Sequence, residues 1–190
     1  MDKAHQILKS VFGYDLFRPL QEDIINHVIS GHDVLVLMPT GGGKSICYQI
    51  PSLLLEGTAL VVSPLISLMK DQVDALQANG IAAEALNSSN EEYVNRIIRS
   101  RCQNGEIKIL YISPERLMTE IQWLQQFVKI SMIAIDEAHC VSQWGHDFRP
   151  EYTQLGVLEE YFPKVPRIAL TATADKITKA DIVEQLRLRN

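Results

Sequence analysis

The sequence predicts an α/β fold in which a mostly parallel sheet is covered by helices on both faces. Three observations carry that expectation. Short apolar segments alternate with segments of helical period along the 190 residues. The apolar segments are rich in β-branched residues and show little strict in–out alternation, as strands buried on both faces should. One of them runs into a glycine-rich loop and then a helix, a strand–loop–helix unit of the kind open parallel sheets use at their ligand sites.

Taken in order, a helix is expected at Pro19–Ser30, because proline is a favoured first helical residue and Gly31 a natural stop. "DVLVLM" (33–38) reads as a strand and "KSICYQIPSLL" (44–54) as the helix after the loop. "ALVVS" (59–63) is the next strand. Ile66–Asn79 is a helix with Leu68, Met69, Val73 and Leu76 on one side, ending at Gly80. "IAAEAL" (81–86) is the weakest strand, and Asn90–Cys102 a helix that starts at a capping residue. "IKILYI" (107–112), "SMIAID" (131–136) and "RIALT" (167–171) complete the strands, and "ADKITKADIVEQL" (174–186) is the last helix. No repeat, low-complexity tract or long linker interrupts the pattern, so residues 1–190 are expected to form one domain.

Composition excludes more than it assigns. No apolar run approaches the roughly 20 residues that span a bilayer, and the N-terminus lacks the apolar core of a secretory signal. Cys47, Cys102 and Cys140 share no C-x-x-C spacing, which argues against a disulfide framework or zinc knuckle and for a reducing, cytoplasmic setting. A formal net charge of −5 neither advertises a nucleic-acid partner nor forbids one, since a local basic groove is screened only over about 8 Å.

The loop "MPTGGGKS" approximates G-x-x-x-x-G-K-[ST], with Met38 in place of the first glycine. Backbone N–H groups at the start of the following helix, with about half a positive charge from its dipole, would converge on phosphates. Thr40, Gly41 and Gly43 are candidate nucleotide contacts. Lys44 would reach the β- and γ-phosphates, and the Ser45 hydroxyl would ligate Mg²⁺, which makes a nucleotide with Mg²⁺ the expected cofactor, and ATP the one that the resemblance drawn below implies. The plainer alternative is a glycine-rich turn. Downstream, the apolar strand "SMIAI" ends in Asp136 and Glu137, at the strand end where ligands gather in such sheets. Asp136 would hold the metal, and Glu137 would orient the attacking water and take its proton. An acidic pair alone would mean little; with Lys44 and Ser45 it reads as hydrolysis.

"MPTGGGKS", "SPLISLMKDQV", "SPERL", "DEAHC", "SQWGHDFRPEY" and "LTATA" occur in this order. The series resembles RecQ-family DNA helicases of superfamily 2, whose phosphate loops commonly lack the first glycine, so Met38 reads as a family variant. The resemblance runs from about Phe12 to Asp175. It implies a three-layer RecA-like P-loop NTPase domain and an ATP-dependent DNA helicase that moves 3′ to 5′ on single-stranded DNA and unwinds duplex in repair and recombination.

The same resemblance assigns roles that the residues alone leave open. In "FGYDLFRPLQ", Tyr14 and Phe17 are packing or binding residues, and Gln21 is a backbone cap or a base reader. The resemblance makes Tyr14 and Arg18 an adenine sandwich and Gln21 its edge reader, for which an amide's paired donor and acceptor suit. In "SQWGHDFRPEY", Gly145 and Pro150 break a helix that would align Trp144, Phe148 and Tyr152, so a loop with exposed rings is expected. By resemblance this loop, with Gln143, Trp144, His146, Phe148 and Arg149, senses single-stranded DNA and couples it to hydrolysis. Ser63, Ser113, Thr171 and Thr173, with Lys70 and Arg116, sit at strand ends either as a DNA-backbone track or as helix caps. His139 is a candidate link between the nucleotide site and "TAT".

No segment after "LTATAD" is long enough to be the second RecA-like lobe that such a motor needs, and no cysteine cluster forms a zinc module. The chain is therefore expected to be an N-terminal lobe that binds nucleotide and hydrolyses it poorly alone. Rival readings are a non-catalytic nucleotide or DNA module, an RNA helicase lobe, and a P-loop kinase. The last lacks the arginine-rich substrate lid it would need.

Overall fold

The computed structural model describes residues 2–39 and 43–189. Among them are helices α1 (Lys3–Ser10), α2 (Gln21–Ile29), α3 (Lys44–Leu54), α4 (Ile66–Ala78), α5 (Glu92–Gln103), α6 (Pro114–Phe127), α7 (Leu158–Tyr161) and α8 (Lys176–Leu186). Strands are β1 (Val34–Leu37), β2 (Thr58–Val62), β3 (Ala83–Leu86), β4 (Ile109–Ile112), β5 (Ile130–Ile135) and β6 (Arg167–Thr171). They form one parallel sheet in the order β1-β6-β5-β2-β4-β3.

The missing alternation in the strands now has its cause. Side chains on one face of the sheet (Leu60, Val62, Leu110, Ile112, Ile133, Ile135) pack with α5, α6 and α8. Their neighbours on the other face (Ala59, Val61, Ile109, Tyr111, Met132, Ala134) pack with α2, α3 and α4. Connections that run from β1 towards β3 use the second face, and those that return use the first, as a single crossover hand demands. The loops after β1 and β5 consequently open at the same end of the sheet, near a point where the winding reverses.

Several local expectations are corrected. Pro19 does not begin α2: Leu20 adopts a left-handed conformation (φ 73°) and the helix starts at Gln21. Asn90 does not cap α5; its side-chain amide donates to the Ala85 carbonyl at 2.7 Å and to Asn95 Oδ1 at 2.9 Å. Leu68 lies on the exposed side of α4, while Met69, Val73 and Leu76 are buried. Helices α1, α6 and the short α7 were not anticipated. The first packs through Ala4 and Leu8 onto α2 and α3, not onto the sheet.

Two features brace the sheet away from the loops just described. The outward carbonyls of the edge strand β3 are capped by side-chain amides, Gln77 Nε2 on Ala83 O (2.8 Å) and Asn90 Nδ2 on Ala85 O. At the start of β6, the buried Arg167 guanidinium joins Asp33 Oδ2 (3.1 Å), Glu159 Oε2 (2.8 Å) and the carbonyls of Leu186 and Arg187.

Candidate functional site

The strand β1 delivers Met38 to the core, where its side chain is buried and its N–H bonds to the Thr171 carbonyl at 3.1 Å. A glycine is therefore not needed at that position: the side chain points into packing. Gly43 is needed, because it takes φ 84° and an added Cβ would lie 2.4 Å from Gln21 Nε2. It opens α3, whose first residues are Lys44 and Ser45. Thr40 and Gly41 lie outside the described residues.

Tyr14, Arg18, Gln21, Gly43, Lys44, Ser45 and Asp136 all line one cavity of about 500 Å³. Residues from three separate segments of the chain thus face one cavity. Lys44 Nζ stands 3.8 Å from Asp136 Oδ1. Asp136 closes the end of β5, with its N–H on the Val62 carbonyl and its own carbonyl accepting from Tyr152 Oη at 2.8 Å. Burial pushes its carboxyl above the ordinary range, partly opposed by the Lys44 charge.

Gln21 is held from both ends. Its Oε1 accepts from the Arg18 N–H at 2.8 Å and its Nε2 donates to the Gly43 carbonyl at 3.1 Å. One N–H and one lone pair of the amide remain for a ligand. Tyr14 is exposed beside it.

Glu137 occupies a left-handed conformation (φ 53°), with its N–H on Asp136 Oδ1 at 2.9 Å. This turn brings Glu137 Oε2 to 3.6 Å from His139 Nε2. On its other side, His139 Nδ1 lies 2.7 Å from Thr171 Oγ1, which also reaches the Thr173 carbonyl at 3.2 Å. Thr171 has one hydroxyl proton for these two acceptors. Giving it to Nδ1 leaves Nε2–H aimed at the Glu137 carboxylate; giving it to Thr173 reverses the tautomer. The loop after β6 and the acidic pair are therefore linked through His139, as the sequence suggested. Burial and the adjacent His146 lower the His139 pKa.

The segment 142–149 is a loop, and Trp144 is 70% exposed, as expected. Gln143 and His146 are also exposed, and Phe148 and Arg149 are half-buried. His146 stacks on His139 with centroids 4.4 Å apart, and Arg149 Nε faces Asp147 at 3.4 Å. Gly145 fits tightly, since a Cβ there would come within 2.9 Å of the His139 carbonyl. Tyr152 departs from the expectation of an exposed ring. It is fully buried in a 3₁₀ helix (Pro150–Val157) because its hydroxyl is drawn to the Asp136 carbonyl.

Trp144 and His146 share a cleft with Thr173. Of the other strand-end hydroxyls, Ser113 caps α6 by accepting from the Arg116 N–H at 3.4 Å, while Ser63 Oγ accepts from the Leu65 N–H at 3.5 Å in the turn before α4. Lys70 is exposed on α4 and pairs with Asp74 at 3.1 Å, whereas Arg116 is drawn into ion pairs with Glu120 and Glu92. Sequence reasoning missed Tyr48, Gln49 and Gln72, which also line the cavity of Lys44 and Asp136. For Tyr48 and Gln49 the available signal was their i+4 spacing from Lys44 and Ser45 on α3; Gln72, on α4, gave none.

Comparison with known proteins gives the family. The family model for DEAD/DEAH box helicases matches residues 18–181. The chain belongs to the DEAD/DEAH-box helicase family. Within that helicase family its sequence is similar to proteins named ATP-dependent DNA helicase RecQ, which bears out the resemblance drawn from the motifs. That of Haemophilus influenzae is 57% identical over 98% of this chain, and that of Bacillus subtilis 48% identical over 100%. The chain spans 30% and 32% of their respective lengths. Two solved helicases share the fold. One is DUF1998 helicase MrfA bound to DNA (TM-score 0.77, 18% identity, 99% of this chain and 28% of that one). The other is DEAD-box helicase Mss116 bound to ssRNA and UDP-BeF (TM-score 0.75, 19% identity, 98% and 41%). The DEAD/DEAH-box chain is thus a RecA-like helicase domain. No helix of its described residues is long and apolar enough to cross a membrane.

Proposed function

We propose that this chain is the ATP-binding lobe of an ATP-dependent 3′–5′ DNA helicase of RecQ type that works in repair and recombination. The observation that carries the reading is the 3.8 Å approach of Lys44 to Asp136 in the cavity, with Glu137 next to Asp136 in the chain and 3.6 Å from His139. In this reading Tyr14 and Arg18 flank the adenine and Gln21 meets its edge with the spare donor and acceptor. Thr40, Gly41, Gly43 and Lys44 hold the phosphates, and the ammonium of Lys44 opposes their charge.

The donor set suits Mg²⁺: the Ser45 hydroxyl and the Asp136 carboxylate are hard oxygen ligands, and no protein hydrogen bond reaches Asp136 Oδ2 among the described residues. When bound, the ion would offset charge on the phosphates. Glu137 takes the proton of the attacking water, and His139 fixes the orientation of that carboxylate.

Gln143, Trp144, His146, Phe148 and Arg149 are proposed to meet single-stranded DNA, with Trp144 stacking on a base for about 1–3 kcal/mol. Ser63, Lys70 and Thr173 would support the backbone track; the buried Thr171 stands behind it, and the path from Thr173 through Thr171 and His139 to Glu137 would pass DNA occupancy to the hydrolytic residue. We further propose that unwinding needs a second RecA-like lobe beyond these 190 residues. An arginine finger from such a lobe is worth about 10³–10⁵ in rate, so the lobe alone should bind Mg-ATP yet turn it over slowly.

The test is steady-state ATP hydrolysis by this chain with and without single-stranded DNA, with Glu137→Gln as control. Negligible turnover alongside Lys44-dependent nucleotide binding is expected. Turnover equal in the native chain and Glu137→Gln would remove Glu137 from the chemistry. Strong DNA-stimulated turnover would refute the need for a second lobe.

A further inference from the structure

Under the cavity runs a chain of buried hydrogen-bonding groups that the reading above does not use. Gln49 Nε2 donates to Gln72 Oε1 at 3.1 Å and to Tyr111 Oη at 3.3 Å, and the hydroxyls of Tyr111 and Tyr48 lie 2.8 Å apart. Both phenol rings are buried, meeting edge to face with centroids 6.4 Å apart.

Counting protons sets the direction of this chain. The two phenols carry two hydroxyl hydrogens and share one bond, so one hydrogen is left to find an acceptor. Were Tyr48 to donate to Tyr111, the spare hydrogen would belong to Tyr111. That hydroxyl is buried off the cavity, and its bonds among the described residues run to Tyr48 and Gln49 only. If Tyr111 donates to Tyr48, the spare hydrogen belongs to Tyr48, whose side chain lines the cavity together with Lys44, Ser45 and Asp136. Buried donors without acceptors are rare because they are expensive, which favours the second arrangement. Burial also holds both phenols in the protonated, donating form: Tyr111 is pushed up to about 12 and Tyr48 well above its ordinary value.

Position reinforces the choice. Tyr48 lies four residues after Lys44 on α3, so both side chains leave the same helical face. Asp136, opposite, uses Oδ1 for the Glu137 N–H and the Lys44 charge. No protein hydrogen bond reaches its Oδ2 among the described residues, so that oxygen is left as an acceptor. Magnesium retains several waters when it binds nucleotide phosphates, and such a water needs both a donor and an acceptor from the protein.

Resting on the nucleotide reading above, we propose that Tyr48 is a positioning residue whose hydroxyl donates into the cavity to a water shared with Asp136 Oδ2, steadying the hydrated side of a nucleotide-bound Mg²⁺. Tyr111 and Gln49 satisfy the buried side of the chain, and Gln72 extends it to α4.

The experiment titrates a fluorescent ADP analogue into the 190-residue chain with Mg²⁺ and, separately, with EDTA. With Mg²⁺, Tyr48→Phe should weaken binding about three- to tenfold, the worth of one net hydrogen bond. In EDTA it should match the native chain within about twofold. Tyr111→Phe deletes an equally buried hydroxyl but keeps the Tyr48 hydrogen, and should stay within about twofold in both conditions. Equal losses with and without Mg²⁺, no loss at all, or a matching loss in Tyr111→Phe would each overturn the proposal. Failure of the native chain to bind the analogue in a Lys44-dependent way would instead bring down the nucleotide reading itself.

Discussion

Leu20 has a left-handed backbone (φ 73°) with 63% of its surface exposed, so its side chain repays little of the cost of that conformation. An L-residue there costs about 1–2 kcal/mol, and glycine relieves it at some expense in unfolded-state entropy. Leu20→Gly should therefore raise stability by about 0.5–1 kcal/mol, read as a small upward shift in urea midpoint. An unchanged or lower midpoint would mean that Leu20 makes a contact worth more than the strain. Asp136 calls for a different argument. Its folded pKa lies above that of a free carboxyl, so the native state keeps a proton that the unfolded chain releases. Its contribution to stability consequently falls as pH rises from the free-carboxyl range through the raised value. Asp136→Asn, which removes the charge that burial penalises, should raise Tm at neutral pH while abolishing the Mg²⁺ effect on nucleotide affinity; a lower Tm would show that attraction to Lys44 outweighs burial. His139 has a lowered folded pKa, so its share of stability is held above the free-imidazole value, about 6.5, and lost as pH falls through the lowered one. The site residues in contiguous motifs were legible because each motif is a backbone device: Gly43, Lys44, Asp136 and Glu137 appear where the motifs put them. Leu20 and Tyr48 were not legible. Leucine gives no sign of a positive φ, and a tyrosine inside an apolar helix looks like packing until its hydroxyl is followed.

At the scale of elements, five strands were readable as mostly β-branched runs and β3 as a weaker candidate, within one residue except for the starts of β3 and β4. Those segments, 81–86 and 107–112, began two residues early because Ile81 and Ile107 are buried before ladder pairing begins. Helix α6 was missed although Leu117, Ile121 and Leu124 follow Ser113-Pro114 at helical spacing and are buried. The residues "SPERL" drew the eye as a motif and hid the helix that they start. Ser113 shows what such motif hydroxyls do locally: it caps α6 through the Arg116 N–H. Ser113→Ala should cost about 1 kcal/mol, measured by thermal denaturation, and a loss below a few tenths would deny the cap. The aromatic loop was half legible. Gly145 and Pro150 announced a break in the helix, yet Tyr152 went inward because one carbonyl, that of Asp136, needed its hydroxyl.

For the molecule as a whole, the sheet is pinned at the end opposite the cavity by Arg167. That guanidinium gathers the start of β1, α7 and the end of α8, and its side chain is 1% exposed. No periodicity marks an arginine at the head of an apolar strand as a hub, and the sequence reading has Arg167 only as the first residue of that strand. Arg167→Met leaves Asp33 buried without its partner, for a loss of about 3–5 kcal/mol, and Tm should drop by about 10 °C or more. A drop of only a degree or two would mean that the carboxylates find water. The parallel order and two helical layers, in contrast, followed directly from alternation of element types, because a strand buried on both faces must be apolar on both. The capped flank of β3 reaches beyond folding into how copies of the molecule behave together. With Ala83 and Ala85 already satisfied from within, a second copy finds fewer acceptors along that flank for its own strand. The protein should keep a steady light-scattering signal when concentrated, and a Gln77→Leu, Asn90→Leu double variant should cloud with time as sheets begin to extend from one molecule to the next.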